Sequence, residues 1–389
     1  NPKVDRLCMV CDMRIGSDGK AGRADFYRGV LRSAARLTYE QVDHYQRERK
    51  GTAAVRRVGE QIDTLYDLFR ALSKARRRRG ALDLDLPEVR VDLDDEGLVS
   101  RIAPRFRNDA HRLIEECMIA ANVEAAKFLR RHRLATLFRV HAGPTDEKFE
   151  QLRTLLQELG IKVPDQAASE PRHLNKALAL IDQRPDADQL KVSVLRSLSQ
   201  AVYQPANIGH YGLALDAYAH FTSPIRRYPD LLVHRGIGHV IDELKPGSFA
   251  YDAAAMEQEG KRCSEQERRA DDATRDVEAR LKATWLLDRI GQVLPGTVPG
   301  VTHFGLFVTL NDLFVDGLVH VTALGRDYFH LTDGGSRLAG ERSGVSYALG
   351  DAVSVEVLRV DVDEAKIDFA LADEDPGPAR GKRRRGRRG

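Results

Sequence analysis

The sequence predicts an α+β protein, a block of helices with few strands followed by a small β-barrel. Three observations carry this. Apolar residues recur three and four apart through most of residues 52–290. The composition changes abruptly across Gly291–Gly300, and beyond it short strand-like alternations take over up to residue 373. A chain of 389 residues, 42% hydrophobic and 31% charged, has room for two or three domains and the make-up of a soluble globular protein. No apolar run approaches the ~20 residues of a membrane span, and no stretch reads as a signal peptide, so no membrane role is expected.

The chain opens on a hairpin: Val4–Met13 as a strand, a turn at Gly16–Gly19, and Phe26–Leu31 returning. A start inside a sheet leads us to expect further sequence upstream of Asn1. Thr52 is placed to cap a helix running to Arg79, with Val58, Ile62, Leu65, Phe69 and Leu72 on one face and Gly80 as its stop. Its last turn, Arg76–Arg79, reads as a solvated helix end first and a nucleic-acid contact second. Residues 82–96 alternate as a half-buried strand, Leu82, Leu84 and Leu86 on one face and Asp83 and Asp85 on the other. That carboxylate pair has magnesium-binding chemistry, but acidic strand faces are ordinary solvent faces and the pair is read as one.

Asn108 to about Arg131 forms a helix that buries Leu113, Cys117, Met118, Ala121, Ala125 and Phe128, with Glu115 or Glu116 flanking the apolar stripe. Phe138–His141 reads as a strand, Thr145–Leu159 as a helix ended by Gly160, and two helices follow around 172–182 and 186–200. Asp252–Ile290 is a long charged helix carrying Trp285. Past the break come five strands: Gly296–Thr302, Phe304–Leu310, Val315–His320, Val353–Val360 and Lys366–Leu371. Phe304 and Phe307 have opposite parity, so one of them faces outward unless a bulge intervenes. Tyr328 and Phe329 fall in a long 322–350 loop as surface aromatics.

Four cysteines are present. Cys8 and Cys11 lie on opposite faces of a strand, and with no second C-x-x-C they do not read as a zinc site. Cys117 and Cys263 occupy apolar helix faces, so all four are expected as reduced thiols of a cytoplasmic protein. The net charge of +3 conceals an asymmetry. The tail after Pro376 holds Arg380, Lys382, Arg383, Arg384, Arg385, Arg387 and Arg388 and no acid, which leaves −4 for the rest. With nothing to bury, that segment is expected to be a disordered polycation suited to phosphate backbones.

The rest of the chain is organised around His210–Arg235, HYGLALDAYAHFTSPIRRYPDLLVHR. Pro224 stops any regular element, Pro229 suits a first helical turn, and Leu231, Leu232, Ile237 and Ile241 form an apolar stripe. Arg226 and Arg227 therefore lie at a helix N-terminus, where backbone N–H groups, the dipole and planar guanidiniums together favour a phosphate.

This stretch closely resembles the motif of the RNB-domain exoribonucleases, the RNase II/RNase R family, on its RNase R branch. The resemblance extends through VDRLCMVCDM, ARLTYEQV, RNDAHRLIEECMIAANVEAAKFL and RRADDATRDV. Residues beyond 291 are similar to the S-one type OB-fold, a five-stranded RNA-binding barrel. The organisation implied is an N-terminally incomplete RNB domain at 1–290, the barrel at 291–373 and the basic tail at 374–389. The activity implied is processive 3′-to-5′ hydrolysis of single-stranded RNA to nucleoside 5′-monophosphates, with Mg2+ held by a cluster of aspartates. No segment of this sequence matches that cluster, which the family carries before the strand matching VDRLCMVCDM. Residues 1–389 are thus expected to bind RNA, as a monomer, without hydrolysing it alone.

By the same resemblance Arg226 contacts the scissile phosphate, Tyr39 stacks on the 3′-terminal nucleotide and Glu116 lies near that nucleotide. His210, Tyr218, Ser223 and Arg227 line the RNA path. Phe304, Phe307 and His320 stack bases on the barrel, and Arg383 and Arg384 of the tail meet the backbone. Leu84 stands where some members carry a stacking phenylalanine, so this half of the clamp has contact area but no π-face.

Overall fold

The computed structural model describes residues 3–372 except 87, 312, 333 and 334. In chain order the elements are β1 Asp5–Asp12, β2 Asp25–Arg32, α1 Tyr39–Glu48, α2 Ala53–Arg57, α3 Gly59–Arg79, β3 Glu88–Leu93, β4 Val99–Arg105, α4 Asp109–Arg131 and β5 Phe138–Val140. There follow α5 Asp146–Glu158, α6 Pro171–Ile181, α7 Ala187–Ser197, β6 Val202–Gln204, α8 Tyr228–Ile241 and α9 Ala253–Leu286. The last are β7 Val293–Thr302, β8 Gly305–Leu310, β9 Val315–His320, β10 Phe329–Leu331, β11 Arg337–Gly340, β12 Ser346–Ala348, β13 Ala352–Asp361 and β14 Lys366–Leu371. The chain divides into two compact units, Asn1–Pro87 with Arg105–Asp272, and Glu88–Pro104 with Ala273–Gly389.

The first unit is helical around two antiparallel strand pairs, β1–β2 and β5–β6. Its core joins Phe26 of β2, Ala125, Phe128 and Leu129 of α4, Phe221, and Val233 and Ile237 of α8. Helix α4 begins where its sequence says it should. Asn108 accepts from the His111 N–H while the His111 side chain reaches back, a capping box in which His111 replaces the usual glutamate.

The expected helix from Thr52 to Arg79 is broken. Thr52 caps only the short α2, and α3 restarts at Gly59 after Val58 leaves helical geometry. The cause is long-range: a Cβ on Gly59 would stand 2.3 Å from the Tyr45 hydroxyl of α1, so helix and tyrosine meet only through glycine. The expected strand at 82–86 is also absent. These residues are extended but outside any ladder, with the Leu82 N–H donating to the Gly212 carbonyl at 2.8 Å, and pairing begins at Glu88. The alternation survives without the strand, Leu82 buried and Asp83 and Asp85 exposed.

In the second unit β7, β8, β9, β14 and β13 close a barrel, antiparallel throughout except for the parallel β14–β9 pair. Val298, Leu306, Val308, Val319, Val355 and Phe369 fill it, and Ala283 and Leu286 from the end of α9 join that core. Residues 322–350 are not a plain loop. They carry the three-stranded sheet β10–β11–β12, and Phe329, expected at the surface, is buried against Leu338 and Tyr347 while Tyr328 is exposed. The tail, with Arg383 and Arg384, lies outside the described residues.

Candidate active site

Arg226 is presented by a loop whose backbone is tied down on three sides. Asn122, fully buried on α4, accepts from the Phe221 N–H and donates to the Tyr218 hydroxyl, both at 2.9 Å. His234 of α8 bonds the Phe221 carbonyl at 2.8 Å and stacks on the Phe221 ring. Asp230, wholly buried in the first turn of α8, accepts from the Ser223 N–H and from Arg227, each at 2.8 Å. The Ser223 carbonyl in turn accepts from the N–H groups of Arg226 and Arg227.

The two arginines part company here. Arg227 precedes the helix as its cap residue and its side chain is spent on Asp230, whereas Arg226 is exposed and its guanidinium has no hydrogen-bonding or ionic partner among the described residues. Ile225 beside it is fully exposed. A free guanidinium on a fixed backbone next to the start of α8 has the build of a phosphate-binding group.

Behind the loop runs a wall of rings. His141, His210, Tyr218, His220 and Tyr203 follow one another edge to face with centroids 4.9–5.6 Å apart. Burial pushes His210 down to about 3 and His220 down to about 2, so both are neutral at physiological pH. Tyr203 and His220 share a hydrogen bond of 2.7 Å, and Arg139 lies 4.5 Å over the Tyr203 ring while pairing with Glu267. Tyr218 is therefore a buried member of this wall, its hydroxyl committed to Asn122, and His210 a half-buried one.

Helix α4 also carries Glu116, buried, with Arg76 at 3.2 Å. The Arg76–Arg79 run is not the solvated helix end that its position suggested. Arg76 donates to the Leu82 carbonyl and Arg79 to the Leu213 carbonyl, so both turn inward, while Arg77 and Arg78 stay exposed. Burial lowers the Arg79 pKa, with Glu116 opposing the shift. At the other end of α4 the Tyr39 ring stacks on His111 at 3.9 Å between centroids, with its own surface two-fifths exposed.

The carboxylates around Glu116 are all committed to arginines. Asp83 faces Arg112, Asp85 and Glu115 face Arg107, and Glu116 faces Arg76. No group of three or more His, Cys, Asp or Glu that could hold a metal forms among the described residues.

The sequence points to Arg226, Glu116 and Tyr39 and reads Arg76–Arg79 as facing outward, and it assigns no functional part to Asn122, Asp230, His220 or Arg139. Asn122 did leave a signal: an amide beside Ala121 and Ala125 of an apolar stripe must find buried partners. The second unit presents a separate aromatic face. Phe304 and Phe307 are each somewhat over a third exposed and meet edge to face at 5.9 Å, and His320 is exposed across the β8–β9 ladder. Both phenylalanines are outside because Phe304 belongs to the turn before β8, where strand parity does not apply.

A helical unit with a free guanidinium beside a helix start, followed by a closed five-stranded barrel with outward rings, is the combination seen in proteins that bind nucleic acid. The comparisons with known proteins agree. The RNB domain model matches residues 1–243 and the S1 RNA binding domain model matches residues 287–372, and the chain belongs to the RNB-domain family. It is 45% identical over 387 residues to ribonuclease R of Escherichia coli (strain K12), covering 97% of this chain and 48% of that protein. Ribonuclease R of Vibrio cholerae serotype O1 is 42% identical over 388 residues, covering 96% and 47%. The apo form of Mycoplasma genitalium RNase R shares the fold, with a TM-score of 0.89 at 24% identity over 96% of this chain and 58% of that one. The chain thus spans about half the length of the curated relatives it matches.

Proposed function

We propose that this chain is the RNA-gripping and phosphate-positioning part of a ribonuclease R-like 3′-to-5′ exoribonuclease. It acts on single-stranded RNA, as a monomer in the cytoplasm, and releases nucleoside 5′-monophosphates in RNA decay and processing. The observation that carries this reading is Arg226, unpartnered and exposed on a loop whose backbone Asn122, His234 and Asp230 hold. Such a donor starts from a fixed backbone and has no internal partner to give up when charge builds on a phosphate oxygen, where a single group lowers a barrier by ~3 kcal/mol. Tyr39, already stacked on one side by His111, offers its other face to a terminal base. Glu116, neutralised by Arg76, accepts from ribose hydroxyls rather than repelling the phosphate.

Magnesium is proposed as the cofactor of the intact enzyme on the family resemblance alone. Among the described residues no group of three or more candidate ligands forms to hold it. That same observation favours a second reading of residues 1–389 taken alone, an RNA-binding fragment without turnover.

Release of nucleoside monophosphate from oligo(A) tests both. Residues 1–389 are expected to bind the RNA and release nothing with magnesium present, while the full reading frame that contains them digests it processively. Digestion by residues 1–389, with contaminating nuclease excluded, would end the second reading. A full reading frame that binds but never digests would end the first.

A further inference from the structure

We infer that Asn122 is the positioning residue of this site: its side-chain amide sets where Arg226 stands relative to Glu116 and Tyr39, although it touches no substrate itself. The inference rests on the proposed role of Arg226 and extends it to a residue with no assigned part.

Helix α4 is the one element that meets every part of the candidate site. Its first turn carries His111, on which Tyr39 stacks; its middle carries Glu116; and Asn122 follows six residues later, ~9 Å along the axis. The arginine loop lies about a hundred residues further on in sequence and reaches α4 through one polar side chain. Asn122 spends its whole amide head on it, the oxygen on the Phe221 N–H and the nitrogen on the Tyr218 hydroxyl.

Both bonds are fully buried, so neither donor nor acceptor has water as an alternative. Ala217, Phe221, Val233 and Ile237 also share an apolar core with Ala125, Phe128 and Leu129 of α4, packing that resists separation but tolerates sliding. A bidentate amide does not tolerate sliding, because hydrogen bonds weaken steeply with angle. The bonds from Asp230 and His234 tie the loop to α8 rather than to α4. Helix α8 in turn packs on α4 through Val233 and Ile237, so those ties reach α4 only through apolar packing, whereas Asn122 bonds the arginine segment directly from α4.

A residue that positions Arg226 lowers turnover when lost, leaves RNA affinity nearly intact, and has no effect once the arginine is gone. The full reading frame is assayed on oligo(A) for kcat and KM, with RNA affinity measured separately without magnesium. Asn122→Leu keeps the side-chain volume and removes both bonds. It is expected to lower kcat by roughly 10²-fold, the order that ~1 Å of misplacement costs, with KM and Kd within about twofold.

Asn122→Asp guards against a mere folding defect. Its carboxylate still accepts from the Phe221 N–H and takes the Tyr218 hydroxyl proton as donor, so it is expected to recover most of the lost kcat. In an Arg226→Ala background, Asn122→Leu is expected to lower kcat no further. If Asn122→Leu and Arg226→Ala each reduce kcat and their effects multiply, Asn122 acts by another route and the inference is overturned. It is overturned as well if Asn122→Asp is no better than Asn122→Leu, or if Kd rises in step with the loss of kcat. A normal kcat for Arg226→Ala on its own would instead remove the proposed role of Arg226, and with it the basis of the inference.

Discussion

The loop around Arg226 and the aromatic face of the barrel both suit RNA, and they are built in opposite ways. In the loop the Phe221 and Ser223 backbone groups and the Arg227 side chain are held internally, by Asn122, His234 and Asp230, and the Arg226 guanidinium is left over. On the barrel Phe304, Phe307 and His320 stand half in water on strands whose cores would be much the same without them. The difference follows from what each has to do. A group acting on one bond must hold its place to within a fraction of an ångström, and only buried, angle-sensitive bonds supply that. A stacking surface must accept any base in many registers, which rigid fixation would hinder. Substitutions in the first region should therefore act on stability or turnover, and substitutions in the second on affinity.

The largest expected effect comes from removing the anchor. Asp230→Ala leaves the Arg227 guanidinium without its partner and the Ser223 N–H unsatisfied, and breaking a buried pair in this way costs about 3–5 kcal/mol. Denaturant melts of residues 1–389 should show that loss in the first unit. A midpoint close to that of the parent would mean the loop is not held from α8.

Arg226→Ala should leave stability unchanged, since the side chain is exposed and unpaired. In the full reading frame it should lower kcat by about 10²–10³-fold, the usual result of deleting one charge-stabilising donor. RNA affinity should change little, because many phosphates share it. Lost affinity with turnover retained would move Arg226 from the chemistry to the grip.

Acid separates the two regions by a different route. Burial lowers His210 to about 3 and His220 to about 2, below the ordinary value of 6.5. Between those limits the unfolded chain binds protons that the folded unit does not. The stability they contribute is complete above about pH 6.5 and is lost as the pH falls toward the folded values. Thermal melts should show the first unit weakening steeply between about pH 6.5 and pH 4, and His220→Asn should flatten that slope. An unchanged slope would mean that His220 is charged or open to water in the folded state.

The smallest effects belong to the barrel and tail. Phe307→Ala should weaken oligo(A) binding by roughly 1–3 kcal/mol and leave its salt dependence alone, as π-contact does. Deleting Gly377–Gly389 should do the reverse, flattening the salt slope by up to ~0.7 log unit for each phosphate its seven cations neutralise. Fluorescence anisotropy across a salt series reads both. Equal slopes with and without the tail would make it a solubility segment.

The elements that could be read from residue order are those whose causes are local. The β1–β2 hairpin, the capping of α4 by Asn108, the Gly80 stop of α3 and the five barrel strands each follow from neighbours a few positions apart. So does the placing of Arg226 beside a helix start, because Pro224 and Pro229 mark that boundary by themselves. What only the tertiary structure decided has causes far away in the chain. The break before Gly59 answers to the Tyr45 hydroxyl, and Arg76 and Arg79 turn inward for carbonyls at Leu82 and Leu213. Phe329 is buried because a small sheet folds back over the barrel core. Which of two adjacent arginines stays free was settled in the same way. The turn of backbone at the start of α8 brings Arg227 to Asp230 and leaves Arg226 to the solvent.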